Sequence, residues 1–201
     1  EQNQSRLPPA GDHPDADAII QRLAQYAGFQ PDWHLLEVTA ADEAALLGHA
    51  PGSLDCVICR FGDYLPADPA RFLSACARAL HSGGVIAIAC ATVSGEPKIA
   101  RFVNTLLKLR DPSQQWVYSL EDWDAFLFAA GFKTLHAETF ARKVDFDRWA
   151  AGAGVQGDDL LRLRALIVQA PSAPREALTP QQIGGRLVFK LDVGISIAGR
   201  V

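Results

Sequence analysis

Strand-sized apolar runs separated by helix-sized amphipathic stretches constrain this chain more than any other feature. Residues 54–59 read Leu-Asp-Cys-Val-Ile-Cys, and residues 85–93 read Val-Ile-Ala-Ile-Ala-Cys-Ala-Thr-Val. Such runs suit strands covered on both faces, as in a parallel sheet. Between them, residues 68–80 place Phe72, Leu73, Ala77 and Leu80 at helical spacing, and Gly83-Gly84 reads as a turn. The alternation continues along the chain. A helix is expected over 14–27, with Pro14 in its first turn and Gly28 after its end. Strands are expected over 33–39, 55–61, 85–93 and 132–143. A short acidic helix or loop covers 42–47, and 51–53 is a turn. Further helices fall over 98–109 and over 119–130, the latter opened by Ser119 and ended by Gly131. Residues 146–170 read as helical in two pieces, 170–185 as a Pro-rich loop, and 186–201 as a strand pair or one long strand broken near Gly194. Strands alternating with helices predict an α/β fold with a mostly parallel sheet, helices on both faces and an antiparallel hairpin at its C-terminal edge.

Composition narrows the function classes. A chain of 201 residues, 49% hydrophobic and 21% charged, has apolar matter for one core. Residues 1–13 read as a flexible lead-in and 14–201 as a single domain carrying the helical insertion at about 146–170. A net charge of -4 without a Lys/Arg run excludes a nucleic-acid role. No apolar run reaches the roughly 18 residues of a membrane span. Cys56 and Cys59 form a CxxC inside an apolar strand, with no second pair or His cluster to complete a metal site, so no metal is expected. Reduced thiols point to the cytoplasm. No methionine occurs, even at position 1, so residues are expected upstream of Glu1.

Four segments in order carry a family resemblance. Pro51-Gly52-Ser53-Leu54-Asp55-Cys56-Val57-Ile58-Cys59-Arg60-Phe61 resembles the fourth strand of the class I S-adenosylmethionine-dependent methyltransferases. The branch is that of small-molecule enzymes similar to those of ubiquinone and menaquinone biosynthesis. Residues 77–88 resemble that family's helix, glycine turn and fifth strand. Asp111-Pro112-Ser113 with Tyr118-Ser119-Leu120-Glu121-Asp122-Trp123 resembles a further segment, and Ala129-Ala130-Gly131-Phe132 the entry to its sixth strand. The resemblance runs from about residue 33 to the end and implies a Rossmann-like methyltransferase fold.

It also implies site residues, because ligands of such sheets lie at the carboxyl ends of the strands. Asp42 and Glu43 fall where the family presents a carboxylate to adenine, and Arg60 and Phe61 form the floor under the donor. Asp63, Gln114 and Trp116 fall against the acceptor. Tyr64 is the candidate catalytic hydroxyl. The implied cofactor is S-adenosylmethionine.

Three departures qualify this. The glycine-rich turn after the first strand does not precede residue 33, so the family's first strand, helix and second strand are expected to be missing from the N-terminal side. A family His pair is replaced by Asp63 and Tyr64, and a family His and Arg by Gln114 and Trp116. The first expectation is therefore a small-molecule methyltransferase truncated or degenerate at the donor site. The alternative is a non-methylating scaffold whose open sheet edge is covered by a second copy or a partner. A rearrangement or cyclisation in the old pocket is a third possibility.

Overall fold

The computed structural model describes residues 16–38, 43–62 and 65–201. The predicted lead-in, 1–13, lies outside the described residues. The chain divides into two compact units.

The first unit takes the described residues up to Cys90 together with Glu121–Glu138 and Gly194–Val201. Its strands are β1 (Leu35–Val38), β2 (Leu54–Gly62), β3 (Leu80–Thr92), β4 (Phe132–Asp145) and β6 (Arg186–Arg200), the last three ending or beginning in the other unit. They stand in the order β1-β2-β3-β6-β4. β1 pairs parallel with β2, Leu35 opposite Cys56 and Val38 opposite Cys59. β2 pairs parallel with β3, Cys56 opposite Val85 and Cys59 opposite Ile88. Cys56 to Cys59 and Val85 to Cys90 are all buried, as expected of strands covered on both faces.

The parallel pair β2 and β3 needs a crossover, which α3 (Pro69–Ala79) supplies. Asp68 caps it, its carboxylate accepting from Arg71 N at 3.0 Å, and Pro69 opens the first turn. Phe72, Leu73, Cys76 and Ala79 form its buried stripe. Burying Phe72 alone stabilises by about 2–3 kcal/mol. The unit's other helices are α1 (Ala16–Ala27), α2 (Glu43–Leu47) and α5 (Leu120–Ala129).

Gly83-Gly84 is not a free-standing turn. β3 begins at Leu80, directly after α3, and the two glycines lie in a bulge where Leu54 faces Leu80 but Cys56 already faces Val85. Gly83 has φ of 83°. A Cβ on Gly84 would stand 3.0 Å from His81 O and 3.2 Å from Asp55 O, so any larger residue would have to push these backbones apart by a few tenths of an ångström.

The second unit takes Ala91–Leu120 and Thr139–Val193. It holds α4 (Pro97–Arg110), α6 (Phe146–Ala151), α7 (Gly157–Val168), α8 (Ser172–Leu178) and β5 (Gln181–Ile183). Glu96 caps α4, accepting from Lys98 N at 3.2 Å and Ile99 N at 3.0 Å. Buried Asn104 pins the segment after α4: its Oδ1 accepts from Val117 N at 2.7 Å and its Nδ2 donates to Val117 O at 3.0 Å. The two helical pieces expected over 146–170 are α6 and α7.

The loop expected over 170–185 is instead a helix and a strand. Pro174 lies in the first turn of α8, where its missing N–H costs no hydrogen bond. The helix ends at Thr179, whose φ of 41° is left-handed. β5 then pairs antiparallel with β6 across Gly184-Gly185, both with positive φ, as a two-residue hairpin requires. The C-terminal segment is one strand of 15 residues, unbroken at Gly194. The hairpin is there, but β6 lies inside the strand order, between β3 and β4.

Candidate functional site

The carboxyl ends of β1 and β2 present one charged pair. Parallel register sets Glu37 beside Ile58, which brings Arg60 within reach. The Arg60 guanidinium donates from both Nε and Nη2 to Glu37 Oε1. Both side chains are about three-quarters covered, at 23% and 24% exposure, so the contact is stronger than a surface pair. Glu37 was missed in the sequence; the signal was an acid in an otherwise apolar strand. Arg60, expected under the donor, is already committed to it.

The other predicted residues are scattered. Asp42, Asp63 and Tyr64 lie outside the described residues. Glu43 opens α2 and Phe61 lies in β2, but their side chains also lie outside what is described. Gln114 and Trp116 belong to the second unit. Gln114 is 1% exposed, its backbone N–H donates to Asp111 O at 3.0 Å, and its side-chain amide donates to Gln115 O at 3.3 Å. Trp116 is 45% exposed. Burial makes Gln114 a support of the turn after α4, whereas Trp116 is accessible.

The second unit contains a cleft at the carboxyl end of β3. Thr92 and Ser94 line it with Val103 of α4, Leu178 of α8, and Lys190 and Asp192 of β6. Lys190 and Asp192 are two residues apart on one strand and so share a face. The cleft has a volume of about 20 Å³, room for about one water or one polar group. Burial raises the Asp192 pKa, and the Lys190 charge opposes the shift. A half-buried carboxylate whose proton is held more tightly, in a cleft at the ligand-binding end of a strand, marks a candidate functional residue. Neither residue was predicted. Charged side chains inside the apolar run 187–198 were the signal.

The CxxC has no convergent geometry. Cys56 and Cys59 are three apart in β2, so their side chains point to opposite faces. All four cysteines are free and buried. Burial pushes Cys56 and Cys90 up to about 12 and raises Cys59 as well. These are neutral core thiols. Among the described residues no group of three or more His, Cys, Asp or Glu side chains is arranged to hold a metal ion. None of the described helices is long and apolar enough to cross a membrane.

No family model matches the chain. In sequence it is similar to the uncharacterized methyltransferase YcgJ of Bacillus subtilis (strain 168), at 26% identity over 125 residues, which is 62% of this chain. The match spans 48%, about half, of that relative's length. In structure it is similar to BH2331 of Bacillus halodurans C-125, a candidate methyltransferase, with a TM-score of 0.80 at 19% identity over 90% of this chain and 97% of the other. The crystal structure of YcgJ gives 0.70 at 20% identity, over 94% and 79%. Geranyl diphosphate C-methyltransferase from Streptomyces coelicolor A3(2), in complex with Mg²⁺, geranyl diphosphate and S-adenosyl-L-homocysteine, gives 0.50 at 12% identity, over 100% and 92%. The chain has the Rossmann-like α/β fold of the class I S-adenosylmethionine-dependent methyltransferases and resembles that family in sequence.

Proposed function

We propose that this chain is an S-adenosylmethionine-dependent methyltransferase acting on a small molecule. The observation that carries the reading is the TM-score of 0.80 with a candidate methyltransferase over nearly the whole of both chains. The sequence match to YcgJ supports it. Support for the cofactor is the S-adenosyl-L-homocysteine bound in a protein of similar fold. When bound, S-adenosylmethionine supplies an electrophilic methyl group, and the protein's task is to hold donor and acceptor aligned. In this reading Asp42, Glu43, Arg60 and Phe61 face the donor. Asp63 and exposed Trp116 are the acceptor-side residues, and Tyr64 offers the catalytic hydroxyl; Gln114, buried, supports the turn that carries Trp116.

β1 lies directly beside β2, the strand that resembles the family's fourth. In the usual strand order that is the position of the first strand, so a glycine-rich donor turn would follow β1, where the sequence fits it poorly. A ligand gripped by backbone amides at a strand end needs glycine for close approach. Residues 39–47 contain none. Calorimetric titration of the full chain with S-adenosylhomocysteine tests the reading. Binding in the micromolar range, about -8 kcal/mol, supports it. Absence of both heat and thermal stabilisation at millimolar ligand sinks it.

One observation favours a second reading, a non-methylating binding subunit. β1 ends the strand order among the described residues. Only residues 39–53 join it to β2, its direct parallel neighbour. That link has no space for the roughly 30 residues of a further βαβ unit. An open strand edge invites a covering chain, here a second copy or a partner protein. Sedimentation equilibrium decides this point: a dimer or larger assembly supports the second reading, and a monomer at micromolar concentration removes its homodimer form.

A further inference from the structure

The second unit carries a groove on the side of α4 that packs against α7. It is lined by Lys98, Arg101, Phe102, Thr105 and Leu106 of α4 and by Leu166 of α7, with a volume of about 330 Å³. Positions 98, 101, 102 and 105 recur at helical spacing, so they form one face. The groove has two chemically different ends. Lys98 and Arg101 stand in the first turns of α4. Phe102, Leu106 and Leu166 provide its apolar floor, and Leu109, half exposed, continues the same stripe away from the cations.

The two cations have no carboxylate partner among the described residues. The Arg101 Nε donates to Pro97 O at 3.2 Å, a contact within its own helix. Glu96, the nearest acid in sequence, is occupied in capping, accepting from the backbone of Lys98 and Ile99. The arginines of α7 are treated differently: Arg162 pairs with Asp159 at 3.3 Å and Arg164 with Asp147 at 2.7 Å. The amino end of a 14-residue helix adds its own positive potential at the same place.

We propose that this groove binds a small anionic amphiphile free in solution, its carboxylate, sulfate or phosphate head on Lys98 and Arg101 and its apolar chain along Phe102, Leu106 and Leu166. The charge pattern selects an anionic head, and the floor selects an apolar tail. The volume lies at the lower end of small-molecule sites. The chain's net charge of -4 opposes docking on an anionic membrane surface. The site is separate from the methyltransferase reading and does not rest on it.

The test uses the full chain and dodecanoate, below the concentration at which it forms micelles. Calorimetry and backbone amide shifts are followed together. The expected result is saturable one-to-one binding, with shifts confined to α4 and α7. K98Q/R101Q, two exposed positions whose change leaves the fold intact, is expected to weaken binding at least about tenfold. Dodecyltrimethylammonium, a similar tail on the opposite charge, is expected not to bind. The proposal is overturned if dodecanoate gives no saturable shifts, if the double variant binds it equally, or if the cationic analogue binds as well. It is also overturned if phosphatidylglycerol vesicles, but not free dodecanoate, shift these residues, because the ligand would then be a membrane surface.

Discussion

Asp55 and Asp192 both stand in strands, in different units, and their surroundings act on them in opposite senses. Asp55, at the amino end of β2, accepts from His34 N at 2.7 Å and from His81 Nε2 at 3.0 Å, with the His34 ring at 3.7 Å. The His34 backbone bond above all holds its carboxyl below the usual carboxylate range; burial opposes it, and the His81 ring adds to the lowering. Asp192, in the β6 cleft, makes no hydrogen bond or ion pair with another described residue, and burial pushes it up. Hydrogen bonds to the charged form make one carboxylate structural; desolvation without them leaves the other poised to take a proton or a ligand. The amino ends of parallel strands serve stability, and the carboxyl ends are where such sheets tolerate costly groups for function.

The largest way to break the Asp55 side is steric. Gly84→Val sets a branched side chain against His81 O and Asp55 O, and is expected to cost about 3 kcal/mol by overpacking, read as a lower urea midpoint at unchanged slope. Asp55→Ala removes the acceptor of the His34 and His81 bonds and is expected to cost about 1–2 kcal/mol at neutral pH. Its folded pKa is depressed, so this stabilisation is present above the ordinary carboxylate value near pH 4 and is lost as pH falls through the folded value. The difference between Asp55→Asn and the parent should therefore close in acid.

Asp192→Asn sharpens the contrast with the opposite sign. A raised folded pKa means that Asp192 favours the fold most in acid and that this contribution is lost as pH rises through the elevated value. The asparagine variant is expected to match the parent near pH 4 and exceed it in stability at neutral pH, by less than about 1 kcal/mol. A variant less stable than the parent at neutral pH would mean that the Asp192 charge has a partner after all. The smallest effect is expected at Trp116. Its exposed ring makes Trp116→Ala neutral in stability, within about 0.5 kcal/mol, so any loss of acceptor binding in that variant reports contact rather than folding.

The sequence made much of the fold legible. The apolar runs of β2 and β3, the stripe on α3 with Asp68 before Pro69, and the glycine after α5 are local signals, and each element stands within a few residues of its expected place. Residues 170–185 were less legible because Pro171 and Pro174 suggest a loop, whereas a proline in a first helical turn is permitted. The site was legible only in part. The place of Arg60 late in a predicted strand points to it, but its partner Glu37 emerges only from the register of β1 on β2. Gln114 stands in a family segment that implies a substrate contact, yet it is buried, because the turn after α4 folds its side chain inward.

What the sequence determined by itself is the class: an α/β chain with buried parallel strands, a CxxC inside an apolar strand and no excess of positive charge. These follow from periodicity and composition, which act over a few residues. Only the tertiary structure decided that β6 enters between β3 and β4, that Gly83-Gly84 forms a bulge rather than a turn, and that Lys190 and Asp192 meet Thr92 and Ser94 in one cleft. Strand order and clefts join residues about a hundred positions apart. Pairings over such separations are set by side-chain packing and by the closing of long loops, and neither leaves a local mark in the chain.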